Sequence, residues 1–198
     1  MHGNGGRYDP ATALVVVDLQ NDFADPNGSL YVREGEGVVK VANGAIADAE
    51  AAGSLIVYTQ DWHPESTPHF EKDGGLWPVH CVHHTWGAMF HPELRVVGDV
   101  VRKGTGGEDG YSAFSVRDPL SGETASTILP GLLAERSIER IVLCGLATDF
   151  CVVESVTDAR ELGYPVVVIR EGIRAVDRKA GSGDRAIEMM LHAGAELV

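Results

Sequence analysis

Ala13-Leu14-Val15-Val16-Val17-Asp18 is the stretch on which the fold turns. It is short, rich in β-branched valine, and apolar at every position up to its terminal carboxylate. A strand covered on both faces has this pattern, and strands of that kind belong to parallel sheets packed between helices. Working outward, Ser54–Gln60, Asp99–Lys103, Ile138–Gly145 and Pro165–Ile169 repeat it, and Leu197-Val198 begins a sixth candidate. Between them, Gly37–Ala52, Ser126–Arg136, Thr148–Leu162 and Lys179–Ala193 carry apolar residues at helical spacing. Gly53, Gly163 and Gly194 stand where a left-handed C-cap is expected. The alternation predicts βαβ units and an α/β fold with helices on both faces of the sheet.

A chain of 198 residues is long enough to bury one substantial core, so one domain is expected over residues 11–198. Residues 1–10 are polar and Gly-rich, without the apolar core of a secretory signal, and read as a flexible leader. No run approaches the ~20 consecutive apolar residues of a membrane helix, so a soluble, cytoplasmic protein is expected, with no membrane partner. The net charge of −13 argues against nucleic acid, whose binding depends on clustered Lys and Arg. Three cysteines, at 81, 144 and 151, make a poor disulfide scaffold and are expected as thiols. The tryptophans and apolar loop residues leave room for a homo-oligomeric interface.

From Asp61 to Val97 the chain loses all periodicity and is rich in Pro, His, Gly and Trp. A loop that long inside a compact domain usually carries function. Asp61 and His63 are two residues apart, so in an extended chain both side chains project to one side, and His69 and His80 follow. Carboxylate with imidazole suits zinc, iron or manganese, whereas a closed structural zinc site would need thiolates. The plainer reading is that loop histidines bind nothing. Cys151 lies where the turn Gly145-Leu146-Ala147-Thr148-Asp149-Phe150-Cys151 runs from strand into helix, and Thr148 or Asp149 is positioned to cap that helix. Backbone N–H groups there favour a thiolate and can hold an oxyanion; the plainer reading is a small buried hydrophobe. Asp18 and Lys103 both end strands, and strand ends of one sheet converge. A buried carboxylate kept ionised by a lysine can serve a thiol as general base.

The motifs DLQNDF around Asp18, DWH at 61–63, WPVHC at 77–81, Lys103-Gly104 and GLATDFCV around Cys151 resemble, in order and over nearly the whole chain, the nicotinamidases of the isochorismatase-like hydrolase superfamily. The resemblance implies a three-layer α/β fold with a six-stranded, mainly parallel sheet, and hydrolysis of nicotinamide or pyrazinamide through a thioester. It implies Asp18 as base, Lys103 as its partner and Cys151 as nucleophile. The amides of Ala147 and Cys151 become the oxyanion hole, with a cis peptide between Leu146 and Ala147. Asp61, His63, His69 and His80 become ligands of one divalent metal, zinc foremost, and Phe23 and Trp77 sandwich the substrate ring. Phe150 departs from mycobacterial relatives, which carry His there, and His83, His84 and His91 match no ligand position. Two other readings are a metal-free amidohydrolase of the superfamily, which would not need Asp61, His63 and His80, and a non-catalytic metal-storing or interaction protein, which would not need the acid, lysine and thiol.

Overall fold

In the computed structural model, which describes residues 6–198, the Val-rich opening run is strand β1 (Thr12–Val17), buried at every position. A one-turn helix α1 (Asn21–Ala24) and helix α2 (Gly35–Ala51) lead to β2 (Leu55–Asp61). The histidine-rich loop, with one 3-10 turn at Glu71–Asp73, then runs to β3 (Asp99–Lys103). After these come the strands β4 (Ser115–Arg117) and β5 (Thr124–Ser126), helix α3 (Leu129–Glu135) and β6 (Arg140–Leu146). A wide π-type turn at Thr148–Val152 opens into α4 (Val153–Glu161), followed by β7 (Val166–Arg174), α5 (Ser182–His192) and β8 (Glu196–Leu197).

Six strands form one sheet in the order β3-β2-β1-β6-β7-β8, and every neighbouring pair is parallel. The alternation of side chains across each strand divides the core in two. Val15, Val17, Val57, Leu143 and Val168 pack with Leu129 and Leu133 of α3, Val156 of α4 and Met190 of α5. On the opposite face, Leu14, Val16, Tyr58, Val142 and Cys144 pack with Val38, Val39, Ala42 and Ile46 of α2. Each large apolar side chain removed from water contributes about 1.5–3 kcal/mol, which is why uninterrupted Val and Leu runs select this three-layer arrangement.

Strand order positions the site. From β1 the sheet grows through β2 to β3 on one side, and the chain then returns to lay β6 on the other side of β1. The connections leaving the carboxyl ends of β1 and β6 therefore diverge, opening the crevice where parallel α/β sheets bind ligands.

Several boundaries differ from the sequence expectation. The antiparallel pair β4–β5 was not expected: its residues are exposed or half-buried and carry no apolar alternation, and it takes Ser126 from the start of α3. Strand β7 runs past Ile169 because the exposed Arg170 and Glu171 are accommodated by a register irregularity. There Leu143 pairs with Val168 but Gly145 pairs with Ile173. Helix α4 begins at Val153 rather than Thr148. The glycines at 53, 163 and 194 have φ of 72°, 92° and 88°, as C-caps of α2, α4 and α5 require. Of the expected leader, residues 1–5 lie outside the described residues, but Tyr8 is buried against the α2 face and the Arg7 carbonyl accepts a hydrogen bond from Arg140. The packed fold thus includes residues the composition assigns to a leader. Among the described residues no helix is long and apolar enough to cross a membrane.

Candidate active site

Four strand ends meet in the crevice. Asp18 follows β1, Asp61 closes β2, Lys103 closes β3, and Cys151 follows β6 by way of the wide turn. Lys103 Nζ donates to Asp18 Oδ2 at 2.7 Å and to the Gly110 carbonyl at 2.6 Å, and lies 3.1 Å from Asp61 Oδ1. The Lys103 and Asp18 side chains are wholly buried. Thr59 Oγ1 donates to Asp18 Oδ1 at 2.5 Å and accepts the Asp18 N–H at 3.1 Å, holding the residue at a φ of 48° that an Asp tolerates better than most residues. Donor atoms of Asp18, Asp61 and Cys151 all lie within 4.8 Å of one another.

The electrostatics follow from burying one cation among two carboxylates. Burial opposes charge on Lys103, yet Asp18 and Asp61 outweigh it and hold the ammonium well above its usual range. Burial raises Asp18, with Lys103 working in the other direction. For Asp61 burial acts in the same sense, but Lys103 and His63 prevail and keep the carboxyl below its usual range. Burial likewise pushes the Cys151 thiol well above its ordinary value, against the pull of the Lys103 charge. Burial thus works against the thiolate that the helix start favours, and the Lys103 ammonium works for it.

The turn carrying Cys151 is built on Ala147, whose carbonyl accepts the amides of Phe150 and Val152 at 3.1 Å each. The Leu146–Ala147 peptide is cis. Neither Thr148 nor Asp149 caps this turn. Asp149 instead accepts hydrogen bonds from the amides of Val176 and Asp177 and from Ser182 Oγ, at 2.9, 3.0 and 2.6 Å, tying the loop after β7 to the turn that carries Cys151. Before the turn, Gly145 has a φ of 129°, and a Cβ there would fall on the Val17 backbone.

Beside this group, ring nitrogens of His63, His69 and His80 lie within 4.8 Å of one another, and His63 Nε2 is 3.7 Å from Asp61 Oδ2. Burial lowers His69 and lowers His80 to about 4, so these imidazoles stay neutral with a lone pair to offer. His69 Nδ1 is paired with Asp109 Oδ1 at 2.5 Å and His80 Nδ1 with the Pro78 carbonyl at 2.7 Å, leaving Nε2 of each for the centre. His63 is buried, and among the described residues neither ring nitrogen has a hydrogen-bond partner. A buried polar ring without a partner costs free energy unless something else satisfies it. The donor set of three imidazoles and one carboxylate fits a divalent metal.

Residues that sequence reasoning left without a role hold this geometry. Gln20 reaches from the end of β1 to donate to the Asp61 and Ala88 carbonyls, at 2.7 and 2.8 Å, and accepts the Asp61 amide at 2.8 Å. Asp22 accepts the Cys81 amide at 2.7 Å and the Ser29 amide at 3.0 Å, securing the segment next to His80. Both belong to the DLQNDF motif, so a local signal existed. Thr59, Asp109 and Tyr111 carried none, because their contacts form only across the fold.

The cleft over Cys151 is lined by Phe23, Trp77, Tyr111, Leu146, Phe150 and Val176 together with His69 and His80. Trp77 donates from Nε1 to the Tyr111 hydroxyl at 2.8 Å and meets Phe150 edge-on at 4.8 Å between centroids, and Phe23 lies 5.6 Å from His80. Phe23 and Trp77 thus both line the cleft over Cys151. His84 packs edge-on to Trp62 instead, and His91 accepts the Glu93 amide, so neither joins the cluster.

Comparison with known proteins agrees with this fold. Residues 12–198 match the isochorismatase domain model. The chain is 37% identical to a nicotinamidase of Escherichia coli K12 over 206 residues, covering 95% of this chain and 94% of that protein. It superimposes on PnC1 of L. infantum, solved in complex with nicotinate, with a TM-score of 0.86 and 35% identity over 94% of this chain and 91% of the other. A pyrazinamidase of Pyrococcus horikoshii in complex with zinc gives a TM-score of 0.84 and 36% identity, over 96% and 99% of the two chains. The chain belongs to the isochorismatase domain family.

Proposed function

We propose that this chain is an amidohydrolase that converts nicotinamide to nicotinate and ammonia, with pyrazinamide as a second substrate. The observation that carries the reading is the buried Cys151–Asp18–Lys103 group set beside four metal-compatible side chains at the floor of an aromatic cleft. The likeness to nicotinamidases over nearly the full length of both chains supports the substrate, as does a structural neighbour solved with nicotinate.

In this reaction Asp18 takes the proton of Cys151, and Sγ attacks the carboxamide carbon. The tetrahedral oxyanion is received by the backbone amides of Ala147 and Cys151. Asp18 returns its proton to the departing ammonia, leaving a thioester; it then deprotonates a water that attacks the thioester carbon, and the released thiolate regains that proton. Lys103 keeps Asp18 oriented and its charge compensated throughout. Phe23 and Trp77 hold the ring against the nucleophile, and Phe150 makes that cleft less polar than a histidine would. Asp61, His63, His69 and His80 would hold a divalent ion, with zinc first among the candidates and iron or manganese next. A bound ion would supply Lewis acidity that helps orient the substrate beside Cys151. The partnerless, buried His63 favours this over the metal-free reading.

The decisive experiment is ammonia release from nicotinamide by the purified protein, before and after chelation and metal restoration, with Cys151→Ala as control. Release that requires both the metal and Cys151 is expected. A folded, metal-loaded protein that releases nothing would overturn the substrate, and chelation-resistant release would overturn the metal's role. The half-exposed Trp86 and the exposed Leu76 support a self-association surface; light scattering coupled to gel filtration, giving a mass above the 21.1 kDa of one chain, checks it.

A further inference from the structure

We infer that Asp109 is a positioning residue for the metal centre: it fixes the tautomer and ring orientation of His69 so that Nε2 faces the ion. The inference rests on the reading of His69 as a ligand and deepens it. Asp109 Oδ1 lies 2.5 Å from His69 Nδ1, a charge-assisted contact that assigns the ring's N–H to Nδ1 and its lone pair to Nε2. The His69 ring is buried and the Asp109 side chain only partly exposed, so the contact is poorly screened by solvent.

Asp109 is itself anchored. Its amide donates to the Arg117 carbonyl and its carbonyl accepts the Arg117 amide, both at 2.8 Å, so the first strand of the β4–β5 hairpin serves as its platform. The same segment reaches the histidine loop a second time, where Thr67 Oγ1 donates to the Gly107 carbonyl at 2.8 Å and accepts the His69 amide at 3.2 Å. Residues 104–111 thus carry two devices in one excursion: the Gly110 carbonyl that holds Lys103, and the carboxylate that holds His69. The exposed hairpin, which buries little, acquires a purpose as the support of a metal ligand. Carboxylates behind ligating histidines raise ligand basicity, and losing one typically weakens metal binding 10–100-fold.

The test is the dissociation constant for zinc, measured by competition with a chromophoric chelator, for the wild type and for Asp109→Ala, His69→Ala and the double variant. Asp109→Ala is expected to weaken binding by at least about 10-fold, and to add nothing further in the His69→Ala background. Wild-type affinity in Asp109→Ala, with His69→Ala weakened, would overturn the role of Asp109 alone. Wild-type affinity in His69→Ala would overturn the ligand reading and the inference with it. An equal loss from Asp109→Ala with and without His69 would mean that the residue acts through the fold and not through the ring.

Discussion

At the scale of single residues, the centre is a small buried charge group whose members depend on one another. Lys103 is the only cation facing Asp18 and Asp61 among the described contacts, and it is wholly enclosed. Replacing it with Met leaves two carboxylates without compensation, and removing one partner of a buried ion pair typically costs about 3–5 kcal/mol. Urea unfolding of Lys103→Met is expected to register a loss of that order, together with loss of turnover. Adding Asp18→Asn should restore part of the stability and none of the activity. A Lys103→Met protein as stable as the wild type would refute the charge accounting. Gln20 is the second residue-scale test. Gln20→Leu takes the side-chain partner from the Asp61 amide and the Asp61 carbonyl, while the Ala88 carbonyl keeps Gln60 as a donor, and each buried group left unpaired costs about 1–3 kcal/mol. The loss should appear both in denaturant midpoint and in metal affinity, since Asp61 moves with its backbone.

At the scale of elements, the Cys151 turn and the loop after β7 behave as one piece because Asp149 accepts three hydrogen bonds from that loop and from the start of α5. Val176, one of the donors, also lines the cleft. Asp149→Ala is therefore expected to loosen one wall of the substrate site while leaving Cys151, Asp18 and Lys103 in place. Steady-state kinetics should show KM for nicotinamide rising several-fold with kcat changed less; the reverse split would assign Asp149 to the chemistry. Gly145 reports on the element joint before that turn. Its positive φ and its approach to the β1 backbone exclude a side chain, so Gly145→Ala, an exchange that stabilises where φ is negative, should here destabilise the fold by at least about 1–3 kcal/mol. Thermal melting of the purified variant checks it.

At the scale of the whole molecule, a metal held by the proposed ligands would tie the irregular loop 62–97 to the sheet. An ion that binds only the folded chain adds RT ln(1 + [L]/Kd) to stability, about 2.7 kcal/mol at 100 times its Kd. Chelation is accordingly expected to lower the melting temperature by several degrees, recoverable on adding zinc. Scanning calorimetry with and without chelator measures this, and an unchanged melting temperature would argue that the cluster holds no ion in solution.

The amino-acid sequence by itself determined the layered α/β plan, because a Val-rich run such as Ala13–Val17 has no polar face and must be covered on both sides. It also placed Asp18, Asp61, Lys103 and Cys151 at strand ends and Gly53, Gly163 and Gly194 at helix ends, since these are local patterns of burial and dihedral preference. What the tertiary structure alone decided are relations between distant residues. Lys103 meets Asp18 across 85 positions of chain and His69 meets Asp109 across 40. The exposed β4–β5 hairpin had no periodicity to announce it. The protonation of Cys151 likewise depends on how much water the fold removes from the thiol, set against one nearby ammonium. Periodicity records which side of an element is covered; desolvation and charge pairing depend on what covers it, and that is settled only when the strands come together.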